Sequence, residues 1–95
     1  MSRNTVSDEA VVIPVDGVID LHTFQPGQTA DVVQEYLLAC REKGIAHVRI
    51  IHGKGKGVQR RIVHSLLGRL DFVASFREAE ETGGGWGATV VTLKL

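Results

Sequence analysis

A two-layer α/β domain with the element order β-α-β-α-β-β is the fold class this sequence predicts. Three observations carry it. Residues 29–43 and 58–70 repeat apolar side chains at helical spacing, and short β-branched or alternating runs at 18–21, 46–51, 71–76 and 88–95 surround them. Glycines mark the joins, and a length of 95 residues suits one such domain with a single core.

In chain order, residues 1–10 read as a mobile arm and residues 11–95 as the domain. Val11, Val12 and Ile13 make an extended segment before Pro14, and residues 18–21 are a second apolar run leading into His22. Gln25, Pro26, Gly27 and Gln28 read as a turn. Thr29 reads as the N-cap of the first helix, with Asp31 in its first turn. Val32, Val33, Tyr36, Leu37 and Cys40 then form an amphipathic face ending at Lys43 and Gly44. A strand at 46–51 precedes a glycine loop. Val58, Ile62, Leu66 and Leu70, flanked by Val63 and Leu67, give the apolar face of a second helix. A third strand covers 71–76, a glycine-rich excursion covers 78–87, and the last run alternates as a final strand. Right-handed crossovers place both helices on one face of the sheet. The carboxyl ends of the first two parallel strands then lie side by side, where open α/β sheets bind ligands.

Composition narrows the setting. The chain is 43% hydrophobic and 23% charged, ordinary globular values. A lone cysteine, Cys40, points to a reducing compartment. No apolar run reaches membrane-spanning length, and Asp8 and Glu9 stand where a secretion signal places its apolar core, so the expected location is cytoplasmic. A formal net charge of zero argues against a strongly basic nucleic-acid binder. The charge is unevenly spread, however. Lys54, Lys56, Arg60, Arg61 and Arg69 cluster around the loop and its helix, whereas Glu78, Glu80 and Glu81 lie near the C-terminus. A local basic patch of this kind positions a phosphate backbone without long-range steering.

The glycine loop is the most informative segment. His52 is followed by Gly53, Lys54, Gly55, Lys56 and Gly57, between a buried strand and a helix. That arrangement aims backbone N–H groups and a helix N-terminus at an anion. It has neither the GxxxxGK[ST] spacing of a P-loop nor GxGxxG, since the third glycine position is Val58. A nucleotide cofactor is therefore disfavoured and a polyanion favoured. At the neighbouring strand end stand Asp20 and His22. With His52 they supply a carboxylate and two imidazoles suited to general acid–base work, with a divalent metal as an optional cofactor. Taken singly, Asp20 capping a turn and His22 as a half-buried structural histidine are the favoured readings; the three together, beside a basic glycine loop, favour function. His47 and His64 read as structural or incidental, with His64 on the solvent side of its helix. Gly85, Trp86 and Gly87 precede the last strand. They suit either a stacking surface for bases or a flexible connection with a packed tryptophan.

Ile19, Asp20, Leu21 and His22, then His52, Gly53, Lys54 and Gly55 with Gly57 and Arg60, then Gly84 to Val91 resemble the Smr (small MutS-related) domain family. Its motifs are LDLHG, an HGKGxGxLR-type loop and a terminal GGxGAT. The resemblance runs from about Val18 to Leu93. It implies a fold like the C-terminal domain of translation initiation factor three, association with nucleic acid and, in several members, endonuclease activity on DNA or RNA. By position it makes Asp20, His22 and His52 catalytic candidates. Gly53, Lys54, Gly55, Lys56, Gly57 and Arg60 become nucleic-acid-binding candidates, joined by Gly85, Trp86 and Gly87. Two departures stand out: Thr23 replaces the glycine after the first histidine, and Gln59 replaces the leucine before the arginine. The expected function is a small nucleic-acid-processing domain, an endonuclease that nicks DNA or cleaves RNA. The alternative is a non-catalytic module for structured RNA or branched DNA, and a small-anion domain ranks third.

Overall fold

The computed structural model describes residues 5–8, 11–53, 57–79 and 87–95. Its elements are β1 (Thr5–Asp8), β2 (Val11–Pro14), β3 (Val18–Asp20), α1 (Pro26–Glu42), β4 (His47–Ile51), α2 (Val58–Leu67), β5 (Val73–Glu78) and β6 (Ala88–Leu93). The sheet order is β3-β4-β6-β5. β3 and β4 are parallel, and β6 runs antiparallel to both β4 and β5. The predicted α/β class and the order from β3 onward hold. Within the stretch read as an arm, β1 pairs antiparallel with β2 as a separate ribbon, Thr5 opposite Pro14 and Asp8 opposite Val11.

Period-2 alternation builds the inner face of the sheet. Ile19, Val48, Ile50, Val91 and Leu93 are buried in one cluster with Val32, Val33, Tyr36, Leu37 and Cys40 of α1 and Val63, Leu66 and Leu67 of α2. Both helices therefore share one core against one face. Burial pushes the Cys40 thiol above its ordinary range, so it remains a neutral core group.

Several boundaries differ from expectation. α1 begins a turn earlier than Thr29, because Pro26 fits the first helical position and Gln28 Oε1 accepts the Gln25 N–H at 3.0 Å. Thr29 is instead fully buried inside the helix. The far end follows expectation: Gly44 takes φ +83°, and Ile45 and Gly44 N–H groups close on the Cys40 and Arg41 carbonyls. On α2, Val58 is exposed and Leu70 falls beyond the helix, so the buried stripe is Val63, Leu66 and Leu67 with Gln59 half-buried at its head. β5 starts two residues later than expected, with an irregular register between Val73 and Ser75.

The Tyr36 hydroxyl organises the β2–β3 connection. It accepts the Gly17 N–H at 3.0 Å and the Asp16 N–H at 3.3 Å, and donates to the Val18 carbonyl at 3.0 Å. Burial is the main reason its pKa is pushed up to about 12. Tyr36→Phe leaves the buried Gly17 N–H without this partner, so the predicted loss is about 1–3 kcal/mol. Urea unfolding should show a lower midpoint with an unchanged slope. An unmoved midpoint would refute the anchoring role.

Candidate active site and basic cleft

Parallel pairing brings the two sequence signals together. Asp20 lies opposite Ile51, and the Leu21 N–H donates to the Ile51 carbonyl at 2.8 Å. His22, two residues past β3, and His52, the first residue past β4, thus follow adjacent strand ends. Their environments then diverge.

Asp20 and His22 form an exposed pair, with side chains 48% and 75% accessible. Asp20 Oδ1 accepts the His22 backbone N–H at 3.0 Å and faces His22 Nδ1 at 2.8 Å. Asp20 therefore caps the turn and contacts the imidazole at once. The backbone hydrogen bond from His22 is the leading cause of a lowered Asp20 pKa, followed by opposing desolvation and then the His22 side chain. An ionised carboxylate accepts only, so the proton of a neutral His22 ring sits on Nδ1 and Nε2 carries a lone pair. Any stability Asp20 adds is present above its ordinary 3.8 and is lost as pH falls below that value.

His52 is 8% exposed. Its Nδ1 lies 3.1 Å from the Gly53 carbonyl and its Nε2 2.9 Å from Thr89 Oγ1. Both ring nitrogens are engaged within the protein. The same Thr89 hydroxyl lies 2.9 Å from His64 Nε2. His64, read from sequence as structural or incidental and as solvent-facing, is half-buried, with its ring 5.3 Å from Phe76 and 6.2 Å from His52. Burial first, then the charges of Arg60 and His52, lower its pKa below 6.5; Glu78 opposes them. The contribution of a neutral His64 to stability is thus present above pH 6.5 and declines on acidification.

The loop is held from β6. His52 and Gly53 N–H groups both donate to the Gly87 carbonyl, at 2.7 and 2.8 Å. Gly87, a nucleic-acid-binding candidate, spends its carbonyl inside the fold. Gly53 and Gly57 take φ +86° and +78°, the left-handed region in which a side chain is strained. Gly57 also accepts the Arg61 N–H at 3.0 Å as α2 begins. Lys54, Gly55, Lys56, Gly85 and Trp86 lie outside the described residues.

Gln59 supplies a connection that the sequence showed only as a departure. Its Nε2 donates to the Leu21 and Phe24 carbonyls at 3.2 and 2.9 Å, and its Oε1 accepts from Thr29 Oγ1 at 2.9 Å. The start of α2 is thereby clamped to the loop bearing His22. A leucine offers none of these bonds.

Gly57, Arg60, Arg61, His64 and Ser65 line an open cleft of about 480 Å³. Arg60 Nε pairs with Glu78 Oε1 at 2.7 Å, and both side chains are about half exposed. Exposed pairs of this kind contribute about 0–1 kcal/mol, so this pair holds Arg60 only weakly. Arg61 has no ion-pair partner among the described residues. A depression on the outer side of α1, lined by Asp31 and Glu35, has the wrong charge for an anion. Among the described residues, no three His, Cys, Asp or Glu side chains converge to hold a metal ion, and no helix is long and apolar enough to cross a membrane. His64 had a signal in the sequence: it follows Arg60 by four residues, which places both on one helix face.

A mixed four-stranded sheet, two helices on one face, and an acid–histidine pair beside a histidine–glycine loop define a class of small α/β domain. The chain belongs to the Smr domain family, which it matches over residues 19–94. It is 43% identical over 81 residues to Endonuclease MutS2 of Solidesulfovibrio magneticus, covering 81% of this chain and 10% of that protein. It is 38% identical over 97 residues to Endonuclease MutS2 of Caldicellulosiruptor bescii, covering 98% of this chain and 11% of that protein. The chain thus spans about a tenth of the length of these curated relatives. The Smr domain of Thermus thermophilus MutS2 superposes with a TM-score of 0.79 at 32% identity, covering 84% of this chain and 100% of the other. YdaL, a stand-alone small MutS-related protein from Escherichia coli, gives a TM-score of 0.77 at 26% identity, covering 83% and 65%.

Proposed function

We propose that this domain binds a nucleic-acid backbone at the glycine loop and the α2 cleft and cleaves a phosphodiester bond beside the Asp20–His22 pair. The observation that carries the reading is the 2.8 Å contact between Asp20 and an exposed His22, at the sheet edge that also bears the loop. In this mechanism His22 Nε2 takes the proton of the attacking hydroxyl as it bonds to phosphorus. Asp20 stabilises the imidazolium, and solvent protonates the departing oxygen. Arg60 and Arg61 hold phosphate oxygens, and Gln59 keeps the His22 loop in register with them. The curated relatives named as endonucleases support this reading.

A binding module is the second reading. The burial of His52 favours it, because that leaves one exposed acid–base pair where the sequence suggested three catalytic groups. One assay decides between them. Purified protein is incubated with end-labelled DNA and RNA of several structures, with and without divalent cations. Products that appear with wild type and not with His22→Ala support the nuclease. Binding without products supports the module, and the absence of both rejects the nucleic-acid reading.

Glu78 makes a separate prediction. If phosphate displaces it from Arg60, Glu78→Gln should tighten binding about 2- to 5-fold, the equivalent of up to about 1 kcal/mol. The gain should be largest at low salt. Weaker binding would instead assign Glu78 to orienting Arg60.

A further inference from the structure

With His52 neutral, the hydrogen bonds joining His52, Thr89 and His64 set which atoms carry protons. A carbonyl accepts only, so the 3.1 Å contact with Gly53 requires a proton on His52 Nδ1. The Nε2 of a neutral His52 is then an acceptor, and the single Thr89 hydroxyl proton is directed to it across 2.9 Å. Thr89 Oγ1 has only a lone pair left for His64, so the 2.9 Å contact there requires a proton on His64 Nε2. One consequence follows for a neutral His64. Its Nδ1 is an unprotonated acceptor, and it has no partner among the described residues.

That acceptor belongs to a residue lining the cleft with Arg60 and Arg61. A phosphate oxygen cannot satisfy it, because both atoms are acceptors. Protonating the ring would resolve the conflict, but the neighbourhood opposes it. Burial and the Arg60 guanidinium act against a charged His64, with Glu78 on β5 acting for it, and the Phe76 ring covers it without a charge. Arg61 on α2 lines the same cleft and adds positive charge. The cleft therefore asks for a hydrogen-bond donor attached close to a phosphate. In a nucleic-acid backbone the group of that kind is the ribose 2′-hydroxyl, on the carbon next to the one bearing the 3′-phosphate. A volume of about 480 Å³ is within the ordinary range for small-ligand sites, about 300–1,000 Å³, and suits a sugar–phosphate unit better than a lone ion.

We propose that His64, locked as an acceptor through Thr89 and His52, takes a hydrogen bond from a ribose 2′-hydroxyl whose phosphate Arg60 and Arg61 hold, so that the cleft selects RNA over DNA. This rests on the nucleic-acid reading above and names the substrate class for that site. His52 and Thr89 are positioning residues; His64 is the residue that meets the ligand.

Two measurements test it. The first needs no ligand: nitrogen-15 spectra of the wild-type imidazoles near pH 7 should show His52 protonated on Nδ1 and His64 on Nε2. A His64 that is Nδ1-protonated or doubly protonated overturns the proposal and leaves the nucleic-acid reading standing. The second compares the affinity of one single-stranded sequence made as RNA, as DNA and as 2′-fluoro RNA, which lacks the donor. RNA should bind about 2- to 10-fold more tightly than the other two, as for one ordinary hydrogen bond. His64→Phe, which keeps a ring against Phe76, should bring that ratio close to one. Equal affinities for RNA and 2′-fluoro RNA, or a ratio that survives in His64→Phe, refute the assignment. If none of the three oligonucleotides binds, the nucleic-acid reading itself falls, an outcome distinct from a wrong tautomer.

Discussion

His22→Ala and Asp20→Asn are each expected to slow phosphodiester cleavage about 10²–10⁴-fold, the usual range for a positioned acid–base group, while affinity changes little. Both side chains are exposed, so neither substitution opens the core. Asp20→Asn is the more discriminating variant. An amide oxygen can still accept the His22 backbone N–H, so the turn is retained, but the carboxylate that fixes the ring proton on Nδ1 is lost. Single-turnover cleavage beside equilibrium binding separates the effects. Cleavage that persists in both variants would place the chemistry elsewhere or identify a contaminating nuclease. The pH profile adds a constraint. The lowered pKa keeps Asp20 ionised through mild acid, so activity lost on acidification at any pH above about 4 does not come from this carboxylate.

Neutralising the cleft should have the second large effect. Arg60→Gln with Arg61→Gln is expected to weaken nucleic-acid binding on the order of 10²-fold at low salt, since hydrogen bonds to charged groups contribute about 1.5–3 kcal/mol each. The dependence of log affinity on log salt should become shallower by about 1.4–1.8, at about 0.7–0.9 for each phosphate that the variant leaves unneutralised. Titrations at several salt concentrations measure both quantities. An unchanged slope would remove the cleft from the interface and leave the glycine loop to hold phosphate alone. The paired variant matters because Arg60 alone is already partly neutralised by Glu78.

Local patterns were legible in the sequence because their causes are local. Tyr36, Leu37 and Cys40 declared the buried face of α1 by spacing alone, and Gly44 declared its end because only a left-handed residue closes that cap. The pairing of Asp20 with His22 was legible for the same reason, since two residues at a strand end need no long-range information to meet. The start of α1 was misplaced because Thr29 is a good cap in isolation, whereas its hydroxyl is used by Gln59, 30 residues away.

The sequence by itself thus determined the α/β class, the order from β3 to β6, the core faces of the sheet and the acid–histidine pair at the sheet edge. Tertiary structure decided what His52 and His64 touch. β6 brings Thr89 against the ring of His52, and the same hydroxyl reaches His64, read from sequence as structural or incidental, from the other side. Gln59 looked like a lost leucine until α2 packed against the loop carrying Leu21 and Phe24. Each of these roles depends on pairs of residues 25 to 38 positions apart. Hydrogen bonding at such separations depends on where the core places the strands and helices, and no periodicity in the chain encodes it.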